Sequence, residues 1–114
     1  MKYNYEFRFT QLENGNNVLT MDLPKEIELV SAFLHGIGSS GNWYIDGINA
    51  VLYDEQEYQE IDGEFYGLEI RKDFTRLHDV FGIGEECTIE TVELKEIIEI
   101  WLSEYRNVKK NETE

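Results

Sequence analysis

The sequence predicts an α+β fold: an antiparallel sheet with two helices packed on one face, a two-layer sandwich. Three observations predict it. Residues 91–105 carry an apolar stripe of helical period, several other stretches alternate polar and apolar residues, and the order runs strand, strand, helix, strands, helix. At 114 residues, 41% of them hydrophobic, the chain can bury one core and has no room for a second domain. Residues 1–108 therefore read as a single globular domain, and 109–114 as a frayed polar tail.

Tyr3, Tyr5, Phe7 and Phe9 alternate with Asn4, Glu6, Arg8 and Thr10, which makes a strand with aromatic residues on one face. Asn14-Gly15 supplies hairpin turn chemistry, and Val18 to Met21 returns as the second strand. Asp22 is placed to cap the next element, a helix in which Pro24 sits where a first turn tolerates it. Ile27, Val30, Phe33, Leu34 and Ile37 suit that helix over 24–34, although their β-branched and aromatic content also suits a strand. The glycines of 36–41 end the helix, and the spacing expects Asn42 to Ile45 and Ile48 to Tyr53 to be extended, with a short helical turn near Asp46 as the competitor. Glu64 to Arg71 reads as a central strand with a bulge at Gly67. Phe74 to Phe81 and Cys87 to Glu90 complete the sheet. Finally Leu94, Ile97, Ile98, Trp101, Leu102 and Tyr105 line one face of a helix that Thr91 is placed to cap.

Charge narrows the function classes. With 24 acidic and 10 basic residues the formal net charge is -14. Nucleic acid and anionic membrane surfaces are disfavoured as ligands, and a cationic protein is favoured. One cysteine, Cys87, rules out an intramolecular disulfide, and the opening residues lack the apolar core of a signal peptide, so a reducing cytoplasm is the expected compartment.

The acidic residues are clustered. Between Lys25 and Arg71 there is no lysine or arginine, and six carboxylates fall within 54–64. Asp46, Asp54, Glu55, Glu57, Glu60, Asp62 and Glu64, with Tyr58 among them, form the candidate partner-binding set. Its competitor is a solvated acidic loop. In the docking reading carboxylates steer a basic partner and aromatic residues, drawn from Trp43, Tyr44, Tyr53, Tyr58 and Tyr66, anchor it.

Other chemistry finds less support. Gly36-Ile37-Gly38-Ser39-Ser40-Gly41 spells a dinucleotide fingerprint, but a helix precedes it where a strand is required. As a calcium loop, 54–64 puts Gln59 where glycine is needed. His35, His78 and Cys87 lack zinc-ligand spacing, and nothing in the sequence activates Cys87 toward His78 as a nucleophile pair. No catalytic residue, metal or cofactor is expected, and oligomeric state is not legible.

Small size, strong acidity, absent catalytic motifs and the helix ending in Ile-Trp-Leu-Ser-Glu-Tyr, residues 100–105, together resemble the immunity proteins of bacterial polymorphic-toxin and contact-dependent growth inhibition systems. That resemblance implies a cytoplasmic, non-enzymatic protein that binds and neutralises a cognate basic toxin, frequently a nuclease. The acidity is also similar to that of nucleic-acid mimics. From another class, Trp43, Tyr44 and Trp101 could line an aromatic pocket for a small molecule.

Overall fold

The α+β class holds, with one helix more than the sequence suggested and with the strands divided between two sheets. The structure, a computed structural model, describes residues 1–82 and 84–113, with side chains described for all of these except 111–113. Strands β1 (Glu6–Gln11) and β2 (Asn17–Asp22) form a separate antiparallel hairpin. A 3-10 turn (Lys25–Ile27) leads into α1 (Glu28–Ile37), followed by α2 (Gly41–Leu52). Strands β3 (Tyr58–Asp62), β4 (Tyr66–Arg71), β5 (Phe74–Asp79) and β6 (Glu86–Glu90) form an antiparallel meander in that order, and α3 (Thr91–Thr113) closes the chain.

Strand register explains the layering. Ile61, Leu68, Leu77 and Cys87 lie side by side on one face of the meander, next to Ile70, Thr75 and Ile89, and all are buried. Helices α2 and α3 cover that face, and α1 packs on β2 and β6. The opposite face carries Tyr58, Glu60 and Asp62 beside Glu69, Arg71, Arg76, His78 and Glu86. It is polar and uncovered, which is the usual division for an antiparallel sheet with helices on one side.

Helix α3 bears out the expected stripe: Leu94, Ile97, Ile98, Trp101 and Leu102 are buried, and the Trp101 indole N–H donates to the Gly38 carbonyl at 2.9 Å. The helix runs on past Tyr105 to Thr113, and residue 114 lies outside the described residues. Thr91 does not spend its hydroxyl on a cap. Its Oγ1 donates to the Arg71 carbonyl at 2.5 Å and lies 2.8 Å from Thr75 Oγ1, while its N–H donates to the Asp73 carbonyl. The start of α3 is thus tied to the β4–β5 hairpin.

Four further expectations are corrected. Asn42 to Ile45 and Ile48 to Tyr53 are not strands, because Tyr44, Ile48 and Val51 are buried at helical spacing on α2. The glycine-rich stretch 36–41 accordingly spans the junction of two helices, with residues 38–40 between them and Gly38 at a φ of 52° closing α1. Gly67 makes no bulge: Asp62↔Gly67 and Gly67↔His78 are in continuous register, and a Cβ there would stand 2.5 Å from Asp62 Oδ1. Asp22 caps nothing, since its carboxylate takes two hydrogen bonds from Arg8 across the hairpin. Among the described residues no helix is long and apolar enough to cross a membrane.

Candidate functional site

The acidic segment is a turn followed by an edge strand. Asp54, Glu55 and Glu57 occupy the turn after α2, Tyr58, Glu60 and Asp62 belong to β3, Glu64 lies in the β3–β4 turn, and Asp46 comes from α2. All eight are exposed. The stretch that competed as a solvated loop is therefore partly a β-strand at the border of the sheet.

Folding separates these residues into two groups. Asp46, Glu60 and Asp62 border a groove of about 380 Å³ between α2 and β3, whose lining also includes Trp43, Gly47, Ala50 and Gln59. Trp43 is 55% exposed at its rim. The approach of α2 to β3 depends on Gly47, whose lack of a side chain makes room for Ile61 and brings the Gln59 amide near. Gln59 Oε1 is buried there without a hydrogen-bond partner, so the floor of the groove offers an unused acceptor.

The second group lies at the other end of β3 and is partly neutralised. Strand pairing returns Arg71 and Lys72 to a stretch that has no basic residue of its own. Lys72 Nζ lies 2.7 Å from Asp54 Oδ1, and the Arg71 guanidinium sits 4.7 Å from the centre of the Tyr58 ring. Desolvation of the phenol by its neighbours, and then the carboxylates of Glu60 and Glu69, push Tyr58 above its ordinary pKa. Glu60 faces Glu69 directly across the strands, but Glu69 is engaged by Arg76, which Glu86 holds from the far side through two hydrogen bonds of 2.6 and 2.8 Å. Glu60 has no such cation beside it in the strand register, and its neighbour Asp62 faces Gly67.

The aromatic candidates also divide. Trp43, Tyr53 and Tyr58 are exposed, whereas Tyr44 is buried with its ring edge-on to Phe33 at 5.0 Å. Trp101 belongs to the core of α3, so Trp43, Tyr44 and Trp101 do not line a common pocket. Ala50, Gln56 and Gln59 of the groove were not among the residues expected from the sequence; the signal for Ala50 was its helical spacing with Trp43 and Asp46 along α2.

Nucleophilic chemistry is not assembled at Cys87. Register pairs His78 with Glu86 and Leu77 with Cys87, which puts His78 and the cysteine on opposite faces of the sheet. Burial raises the thiol pKa, and Sγ lies 3.6 Å from the Glu26 carbonyl. Among the described residues no three His, Cys, Asp or Glu side chains converge as a metal site.

No family model matches the chain, and no solved structure matches it significantly. A curated protein of Bacillus cereus, named "Immunity protein", is 40% identical over 114 residues, an alignment that takes in 96% of this chain and 94% of the relative. The chain belongs to that immunity protein family. As an immunity protein the chain presents an exposed tryptophan and three carboxylates around one groove.

Proposed function

We propose that this immunity protein binds a cognate basic toxin, a nuclease being the type its charge suits best, and neutralises it by stoichiometric docking in the cytoplasm without catalysis. The observation that carries this reading is the groove between α2 and β3, which Asp46, Glu60 and Asp62 line together with Trp43. Carboxylates at the rim steer a positive protein toward the groove, and the half-exposed indole supplies an apolar anchor. The net charge of -14 acts in the same direction at longer range. Asp54, Glu55, Glu57, Tyr58 and Glu64 extend the docking face on either side. A nuclease covered in this way would lose the basic surface on which it holds phosphates.

Calorimetric titration against the cognate toxin domain, identified by its co-purification with this chain from its host, tests the reading. A one-to-one complex that abolishes toxin activity in proportion to the immunity protein added is the expected result. Toxin activity that persists at saturating immunity protein, or inhibition by far less than one equivalent, would sink it.

A further inference from the structure

We infer that the free edge of β3 takes up an extended, cationic segment of the toxin as an added fifth strand of the meander. The inference rests on the toxin-binding reading and specifies its geometry.

The edge is built to accept a strand. The Gly63 N–H donates to the Tyr66 carbonyl at 2.9 Å, and Asp62 pairs with Gly67 in a register that continues without interruption to Tyr58↔Arg71. In an antiparallel ladder, residues whose backbone groups point to the partner strand alternate with residues whose groups point away. A hydrogen-bonded pair at Gly63 and Tyr66 therefore turns the N–H and C=O of Gln59 and Ile61 toward β4. It turns those of Tyr58, Glu60 and Asp62 outward. At about 3.3 Å per residue the five residues offer roughly 17 Å of edge. The opposite border of the sheet differs, because β6 is flanked by the 3-10 turn and α1, with Cys87 Sγ against the Glu26 carbonyl.

Charge selects the occupant. A strand laid beside β3 would send alternate side chains to the outer face, next to Glu60 and Asp62, and the others toward Asp46, Trp43 and the buried acceptor of Gln59. Cationic side chains on both sides of such a strand would meet carboxylates, and a donor on its inner side would satisfy Gln59 Oε1. Among the described residues the groove lining contains no lysine or arginine to oppose them. A second copy of this chain is rejected by the same carboxylates, since pairing β3 with β3 would bring Glu60 and Asp62 against their own kind. Charged edge residues block self-association in this way.

Amide hydrogen exchange, resolved residue by residue by NMR on the chain alone and bound to the toxin domain that co-purifies with it, tests the inference. Expected is at least tenfold slower exchange of the Glu60 and Asp62 amides in the complex, with Gln59 and Ile61 already protected in the free protein. In parallel, Glu60→Pro removes one outward N–H at an edge position where proline is tolerated, and should weaken binding roughly tenfold beyond the loss seen in Glu60→Gln. A complex in which the Glu60 and Asp62 amides exchange as fast as in the free protein overturns strand addition and leaves toxin binding standing. A folded Glu60→Pro variant that binds as tightly as Glu60→Gln does the same. Failure of the parent chain to form any complex with the toxin domain removes the toxin-binding reading, and strand addition with it.

Discussion

Gly47 and Ile61 are in such close contact that a Cβ on the glycine would overlap the isoleucine Cδ1 and stand 3.3 Å from its Cγ1. Helix α2 therefore lies nearer to β3 than any side chain at that position would permit, and the width of the groove beside it depends on the missing methyl group. Gly47→Ala sets two effects against each other. Helix propensity favours alanine by about 1 kcal/mol, while overpacking a core contact costs about 1–3 kcal/mol. We expect a net loss of about 1 kcal/mol in urea unfolding. Adding Ile61→Val removes Cδ1 and should restore most of that stability, although Ile61→Val alone costs about 0.5–1.5 kcal/mol. Losses that simply add in the double variant would show that this contact does not hold the helix.

Trp101→Ala should cost about 3–5 kcal/mol, as expected for an aromatic side chain removed from a core. The residue is 1% exposed, and its ring centre lies 5.6 Å from that of Tyr105. Trp101→Phe keeps most of the volume and gives up the bond to the Gly38 carbonyl, so a smaller loss, near 1 kcal/mol from that bond plus the unfilled volume, is expected in the same unfolding assay. Were Trp101→Ala as stable as the parent, the stripe on α3 would not be core.

Stability should fall at both extremes of pH through one linkage. The Glu90 carboxylate accepts hydrogen bonds of 2.6 Å from Lys2 Nζ and from the Tyr3 hydroxyl. Those two partners, Lys2 first, hold Glu90 down to about 2 from an ordinary 4.5, and the same bond, aided by burial, pushes Tyr3 up to about 12 from 10.0. Because the folded value for Glu90 is depressed, its contribution is present above pH 4.5 and is lost as pH falls toward 2. Because that for Tyr3 is raised, its contribution is present below pH 10.0 and is lost as pH rises toward 12. Tyr3→Phe should lower stability at neutral pH by about 1–2 kcal/mol and remove the Tyr3 part of the alkaline loss. An unchanged alkaline limb in denaturant titrations would disprove the assignment.

Glu55, Glu57 and Glu60 changed together to glutamine should slow toxin association by about tenfold at low salt and flatten its salt dependence. Exposed charges lose most of their reach once the Debye length falls to about 10 Å at 0.1 M salt. Asp54→Asn should have a smaller effect, because Lys72 already pairs with that carboxylate. Folding should survive the triple change, since Glu60 faces Glu69 and its removal relieves a like-charge pair. Stopped-flow rates that match the parent at every salt concentration would place the docking face elsewhere.

Much of the architecture was legible in the sequence, and the gaps have physical causes. Helix α3 carries enough apolar residues at 3.6-residue spacing to be read without its surroundings. Helix α2 was misread because glycines at 41 and 47 and β-branched residues at 45, 48 and 51 weaken its helical signal. Its glycines are buried against Leu102 and Ile61, a tertiary requirement that local propensity does not express. Strand β3 was hidden by its carboxylates: only Ile61 is buried, so alternation has a single apolar member. The acidic set could be listed from the sequence but not divided. Hairpin pairing brings Arg71 and Lys72 to one end of it, and α2 brings Asp46 and Trp43 to the other.

The contrast between the two tryptophans gives the protein a pair of built-in optical reporters. Trp101 is sealed in the core with its N–H bonded to the Gly38 carbonyl, whereas Trp43 stands in water at the rim of the groove. Unfolding should red-shift the emission of Trp101, and occupation of the groove should blue-shift or quench that of Trp43. With Trp43→Phe the remaining fluorescence follows folding, and with Trp101→Phe it follows binding, so the two processes can be timed separately with two single-tryptophan variants and no attached dye.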